Sequence, residues 1–370
     1  MSAHLPKSAV LELEDGTCFR GYSFGFEGAT SGEVVFNTAM TGYPESLTDP
    51  SYEGQILVTT FPLLGNYGVP PQDAAANTLS RYYEGDRIHC RAIIAQDYSV
   101  HHSHWLAQES LSQWLINEKV CGICGIDTRA LTKHLRECGS MLGRITVEGC
   151  EPVDFYDPNK ENLIALTSCT EVATYLPDTP CDTPKTVVLV DCGVKHNIVR
   201  CLTRRGVKVV RVPWDYDFNT IDYDGLFISN GPGNPEDAKP VIELVRTLRG
   251  KYPIFGICLG HQIIALSYGG KTYKLKFGHR GGNHPVKNLR TGKVEITSQN
   301  HSYAVDAASL EDTGLCVPHL NLLDNTVEGL RCDADQIFSV QYHPESAPGP
   351  QDSAYLFDEF IAMMEEAKHA

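Results

Sequence analysis

The chain has 370 residues, 42% of them hydrophobic and 21% charged, and a formal net charge of −15. That length suffices for two domains with separate cores, and the acidic balance excludes a nucleic-acid surface, which needs a basic face. No membrane span is visible, and Met1-Ser2-Ala3-His4-Leu5-Pro6-Lys7 carries no apolar targeting core, so a cytoplasmic protein with neither nucleic acid nor membrane among its partners is expected.

Up to about residue 150 the chain alternates short β-rich runs with Gly and Pro turns, as in Val34-Val35-Phe36 and Gln55 to Phe61, and the spacing predicts a helix over Thr128–Arg136. The thirteen cysteines are scattered, odd in number and not preceded by a secretion signal, so reduced thiols are expected. Cys121 and Cys124 have redox or metal spacing, but without a second pair they read as structural. His101-His102-Ser103-His104 reads as a solvated loop, and no metal site is expected. From Leu176 to Pro184 the chain holds three prolines and two aspartates and reads as part of a linker. After it, the apolar runs Thr186–Val190, Lys208–Val212, Leu226–Ile228 and Ile254–Ile257 are separated by helical patterns. This alternation predicts buried, mostly parallel strands in a doubly wound α/β sheet. The expected organisation is a β-rich α/β domain over 1–150, a linker over 151–184 and the doubly wound domain over 185–370.

Three segments of the last part carry chemistry. In Phe227 to Pro235 a strand runs into Gly231-Pro232-Gly233-Asn234-Pro235. The glycines can expose backbone N–H groups to a ligand, as an oxyanion donor or a phosphate cradle, although the loop fits neither common nucleotide pattern. In Pro253 to Gln262 an apolar run ends at Cys258 and a helical pattern begins at once, with Gly256 and Gly260 on either side. That is the mechanics of a nucleophile elbow; the competing reading is a cysteine that merely fills a core. In His343-Pro344-Glu345, after the strand-like Ile337 to Tyr342, an extended chain would place His343 and Glu345 on one side. Glu345 would then orient an imidazole able to take a proton from the thiol.

Taken together, Gly231-Pro232-Gly233, Gly256-Ile257-Cys258-Leu259-Gly260-His261-Gln262 and His343-Pro344-Glu345 resemble a class I glutamine amidotransferase domain. The resemblance implies that Cys258 attacks the side-chain amide of L-glutamine, that His343 serves as base and then acid, and that Glu345 orients it. It implies an oxyanion held by the N–H groups of Leu259 and Gly233, with Gly231 in the same loop, and Gln262 facing the bound glutamine.

The first part resembles the amino-terminal domain of the small subunit of carbamoyl-phosphate synthetase. The similarity rests on Glu14-Asp15-Gly16-Thr17, Gly32 to Tyr43, Leu47 to Tyr52 and Gly65-Asn66-Tyr67-Gly68, and continues in Gly125 to Arg129 and Lys276 to Pro285. It implies that Ser51 and the segment Asn300-His301-Ser302-Tyr303 help bind glutamine. Ser302 and Tyr303 replace the family's glycine and phenylalanine, and Asn234 replaces its aspartate. The chain contains no P-loop and needs no cofactor of its own. The resemblance implies that ATP and magnesium belong to a separate large subunit, the implied partner, which would make carbamoyl phosphate from bicarbonate and the released ammonia for arginine and pyrimidine synthesis. A free-standing γ-glutamyl hydrolase would keep the trio without such a first domain. A non-enzymatic relative, or one using free ammonia, would lack the nucleophile or the base, and both are present here.

Overall fold

The structure, a computed structural model, describes residues 6–72, 79–217 and 221–367. Met1 to Leu5, most of the segment read as lacking a targeting core, lie outside the described residues. The chain forms two compact units that divide between Glu161 and Asn162.

The first unit is built on a closed barrel of seven strands: β1 (Ser8–Leu13), β2 (Cys18–Ser23), β3 (Ala29–Asn37), β4 (Gln55–Thr59), β5 (Ala92–Ile94), β6 (Cys121–Cys124) and β7 (Met141–Val147), in the order β1-β2-β6-β5-β4-β3-β7. Closure leaves no unpaired edge, and the barrel's core side chains are aliphatic: Leu11, Val34, Ile56, Ile93 and Ile145 are buried. The expected helix is present as Thr128–Cys138, capped by the Asp127 carboxylate, which accepts from the Ala130 N–H. Cys121 and Cys124 sit on β6 three residues apart, hence on opposite faces of a strand. All thirteen cysteines are free thiols, and burial pushes that of Cys121 up to about 11.

The second unit carries a ten-stranded sheet. Its strands are β8 (Ala173–Tyr175), β9 (Thr186–Asp191), β10 (Lys208–Pro213), β11 (Gly225–Ile228), β12 (Ile254–Ile257), β13 (Thr272–Asn288), β14 (Val294–Val305), β15 (Cys316–Asn321), β16 (Val327–Cys332) and β17 (Ile337–Val340), ordered β8-β10-β9-β11-β12-β17-β16-β15-β13-β14. The five strands from β10 to β17 pair in parallel. Alternate residues of these strands face opposite ways. Val188, Leu226, Ile228 and Ile254 pack with Ile263 and Ile264 of the helix Leu259–Ser267. Phe227 and Phe255 meet Phe357 and Phe360 of the helix Tyr355–Ala367 on the other side. Helices thus cover both faces, as a doubly wound sheet requires. Beyond β17 the sheet continues as an antiparallel extension, β16 to β14, that periodicity in the parallel part does not announce. Regular structure also reaches into the stretch expected to be a linker. Leu163–Thr167 is helical and β8 pairs antiparallel with β10, so the irregular connection narrows to 176–185.

The junction after β12 depends on close approach. A Cβ at Gly260 would lie 2.3 Å from the Ile228 carbonyl oxygen, and the Gly260 N–H itself donates to the Ser229 carbonyl. Gly260→Ala should therefore force the helix off the sheet and cost about 1–3 kcal/mol or more, read as a lowered urea midpoint with an unchanged slope.

Candidate functional site

Cys258 sits between β12 and the helix Leu259–Ser267 with φ 53° and ψ −101°, a conformation a side-chain-bearing residue adopts at a cost of about 1–3 kcal/mol. The positive φ falls on the cysteine itself, while its flanking glycines serve close packing. Its N–H is bonded to the Val340 carbonyl at 2.9 Å, so the turn is held from the neighbouring strand β17. Leu259 opens the helix, where its N–H has no intrahelical acceptor and can face an anion, while the next, that of Gly260, is taken by the Ser229 carbonyl.

His343 and Glu345 meet by a route different from the expected one. β17 ends at Val340, and residues 343–346 form a turn in which the Ser346 N–H donates to the His343 carbonyl at 3.1 Å. The turn, rather than an extended chain, brings His343 Nδ1 to 2.7 Å from Glu345 Oε1. Both side chains are buried. Nδ1 is thus the donor to the carboxylate, and Nε2 is left for the thiol side of the ring. Burial pulls the His343 pKa down, but the Glu345 carboxylate and then the charge on Cys258 outweigh it, and the net shift is upward. For Glu345 burial acts upward, the Lys195 ammonium and then His343 act downward, and the net shift is downward.

Lys195 is the residue that the sequence reading missed. Its Nζ lies 3.0 Å from Glu345 Oε1, is bonded to the Ser346 carbonyl at 2.5 Å, and is buried with the carboxylate. Its backbone N–H donates to Asn230 Oδ1 at 3.0 Å, and Asn197 Nδ2 donates to the Glu345 carbonyl. A lysine just past the carboxyl end of the apolar run Thr186–Val190 is placed where open α/β sheets gather ligands, and that position was the available signal.

The remaining expected site residues divide between the units. Gly231, Gly233, Leu259, Gln262, Asn300, Ser302 and Tyr303 belong to the second. A Cβ at Gly231 would lie 2.0 Å from the Cys192 carbonyl oxygen, and Gly233 has φ +88°. The Cys258 thiol points to the Asn300 carbonyl, 3.7 Å away. Gln262 Nε2 donates to the Tyr303 carbonyl at 2.9 Å and to Gln341 Oε1 at 3.0 Å. The Asn300–Tyr303 segment thus engages the helix through backbone carbonyls, while Ser302 Oγ accepts from Arg280. Asn234 caps the turn Pro235–Asp237, its Oδ1 accepting from the Glu236 N–H at 3.1 Å, a task aspartate performs equally well. Ser51 belongs to the first unit, buried in the turn Pro50–Tyr52, its N–H donating to the Asp49 carboxylate at 2.9 Å.

Replacing Lys195 by Met strands the Glu345 charge in the interior and should cost about 3–5 kcal/mol at neutral pH. A carboxylate whose folded pKa is depressed stabilises the fold above its unfolded pKa, and that stability is lost as pH falls through the folded value. Without Lys195 the folded value rises, so acid unfolding followed by circular dichroism should begin at a higher pH in Lys195→Met than in the parent.

Residues 188–363 match the family model described as glutamine amidotransferase class-I, and residues 11–145 match that of the carbamoyl-phosphate synthase small chain, CPSase domain. The arginine-specific small chain of carbamoyl phosphate synthase from Saccharomyces cerevisiae is 46% identical over 366 residues, covering 97% of this chain and 89% of that one. The multifunctional protein pyrABCN of Emericella nidulans is 48% identical, covering 95% of this chain and 17% of its own. Human carbamoyl-phosphate synthase (ammonia), mitochondrial, is 46% identical, covering 98% and 24%. The chain thus spans under a quarter of these two longer relatives and most of the yeast small chain. By its sequence over nearly its whole length, the chain belongs to the carbamoyl-phosphate synthase small-chain family and carries a class I glutamine amidotransferase domain.

Proposed function

We propose that this chain hydrolyses glutamine through Cys258 and passes the ammonia to a carbamoyl-phosphate synthetase large subunit or domain. The observation that carries the reading is the buried chain of contacts from Lys195 through Glu345 to His343 Nδ1, which leaves Nε2 unpartnered, together with a thiol held on a strained turn whose charge raises the His343 pKa. His343 takes the proton of the Cys258 thiol as Sγ attacks the side-chain carbonyl carbon of glutamine, the carbonyl π pair moves to oxygen, and the N–H groups of Leu259 and Gly233 receive the oxyanion. Collapse breaks the C–N bond, and His343 gives its proton to the departing nitrogen, so ammonia leaves and a γ-glutamyl thioester remains. His343 then takes a proton from water, which attacks the thioester. Glutamate leaves as the C–S bond breaks, and the proton returns to sulfur.

Ammonia set free in water is protonated and lost as a nucleophile, so a large partner that receives it directly completes the reading. The names of the relatives fit this. One is a small chain, and the longer ones contain a region like this chain within a larger protein. In this proposal the partner binds ATP and magnesium and this chain binds neither. Free thiols throughout suit a reducing compartment, which we take to be the cytoplasm. Among the described residues no helix is long and apolar enough to cross a membrane.

Cys258→Ser should abolish glutamine-dependent carbamoyl-phosphate synthesis by the assembled enzyme while synthesis from added ammonium chloride survives. Retention of glutamine-dependent activity would remove Cys258 from the mechanism. His343→Ala should slow glutamate release by about 10²–10⁴-fold, and Glu345→Ala by less, because Glu345 acts through the ring. A larger loss in Glu345→Ala would reverse the two roles.

A further inference from the structure

A second buried group of ionisable side chains lies in the antiparallel extension. His279 on β13, His301 on β14 and Glu328 on β16 place one ligand atom each so that all three lie within 4.8 Å of one another. His279 and His301 are direct cross-strand partners. Their exposures are 8%, 5% and 0%, so each is more than nine-tenths buried.

Each ring is fixed from its far side. His301 Nδ1 lies 2.7 Å from the Tyr303 carbonyl and must donate to it, so in the neutral ring Nε2 carries the lone pair, and Nε2 is buried without a hydrogen-bond partner. His279 Nε2 lies 2.9 Å from Asp324 Oδ2, which leaves the lone pair on Nδ1, also buried and unpartnered. Both oxygens of Glu328 accept from side-chain amides, Asn321 at 2.8 Å and Gln299 at 2.9 Å, and each keeps a further lone pair. The group thus gathers two unpartnered ring nitrogens and a carboxyl group in the interior.

We propose that His279, His301 and Glu328 form a site for a divalent transition-metal ion, with zinc the closest chemical match. Two imidazoles and a carboxylate are a zinc ligand set, and a carboxylate or carbonyl on the far nitrogen of each ring is the outer support that such ligands use. Zinc bonds of about 2.0–2.2 Å set ligand atoms roughly 3.3 Å apart, so the three atoms need draw in only modestly. His284, its ring 5.3 Å from that of His279 and its Nδ1 buried without a partner, offers a fourth ligand. Arg280 opposes a cation by charge, but its guanidinium is turned to the Phe277 carbonyl and the Ser302 hydroxyl, and the carboxylates of Glu328 and Asp324 outnumber it. The ion would tie β14 to β13 and β16 next to Asn300, whose carbonyl faces the Cys258 thiol. It would anchor that strand and take no part in bond making.

The test uses the full chain, stripped with a chelator and titrated with zinc chloride, bound metal being counted by mass spectrometry and the site probed with cobalt(II). One ion per chain and a cobalt spectrum of nitrogen and oxygen ligation are expected. Glu328→Gln keeps the side chain's size, and with His279→Gln as a second variant it should weaken binding by at least about 100-fold, while Asp324→Asn should weaken it by about 10-fold. Circular dichroism of the metal-free variants separates lost ligation from lost folding. The proposal is overturned by the absence of stoichiometric binding at micromolar zinc, by affinity unchanged in folded Glu328→Gln and His279→Gln, or by a thiolate-type cobalt spectrum, which would assign the metal to cysteines.

Discussion

A buried lysine and a buried glutamate set the terms for the rest of the second unit. Lys195 and Glu345 could not remain ionised in the interior separately, because each would lack the solvation it gives up. Their contact at 3.0 Å joins the segment after β9 to the turn after β17, on opposite sides of β11 and β12. The parallel order of those strands makes the contact possible, since it brings all their carboxyl ends to one edge. The nucleophile's turn at the end of β12 lies between the two charged residues in strand order, and its backbone is pinned to β17 by the bond from the Cys258 N–H to Val340.

The parallel strands were legible because continuous apolar runs bounded by polar breaks leave little choice of structure, and four of them, Thr186–Val190 to Ile254–Ile257, are present with shifts of one residue at most. The strand-to-helix turn at Cys258 was legible from its flanking glycines, although the physical reason differs in part. The structure needs Gly260 because a carbonyl of β11 passes where a Cβ would stand, and it places the unfavourable φ on the cysteine. The His343–Glu345 contact was anticipated with the wrong backbone, since residues two apart can share a side in a strand or meet across a turn, and sequence spacing does not distinguish these.

Other features left no local trace. Lys195 is separated from Glu345 by 150 positions, and a single lysine after a strand looks like a solvated one until burial is known. The antiparallel extension is hard to read because β13 and β14 are long, bulged and half exposed, so neither a continuous apolar run nor a clean alternation marks them. The cluster of His279, His301 and Glu328 is invisible for the same reason, being assembled by register across strands and not by spacing along one.

Charge on Cys258 is among the causes that raise the proton affinity of His343, and this gives the proposed reaction a clock. In the proposed reaction, once the ring has taken the thiol's proton, the charge left on sulfur helps the ring to hold it. Once sulfur is bonded to the γ-carbonyl carbon that charge is gone, and the ring's hold on the proton weakens just as the departing nitrogen needs one. Having released it, the imidazole is neutral while the thioester lasts, and so is ready to draw a proton from water. When hydrolysis frees the sulfur, the ring hands it the proton taken from water, and the cycle closes. In the proposed reaction the covalent state of one atom thereby times the acid and base duties of its neighbour.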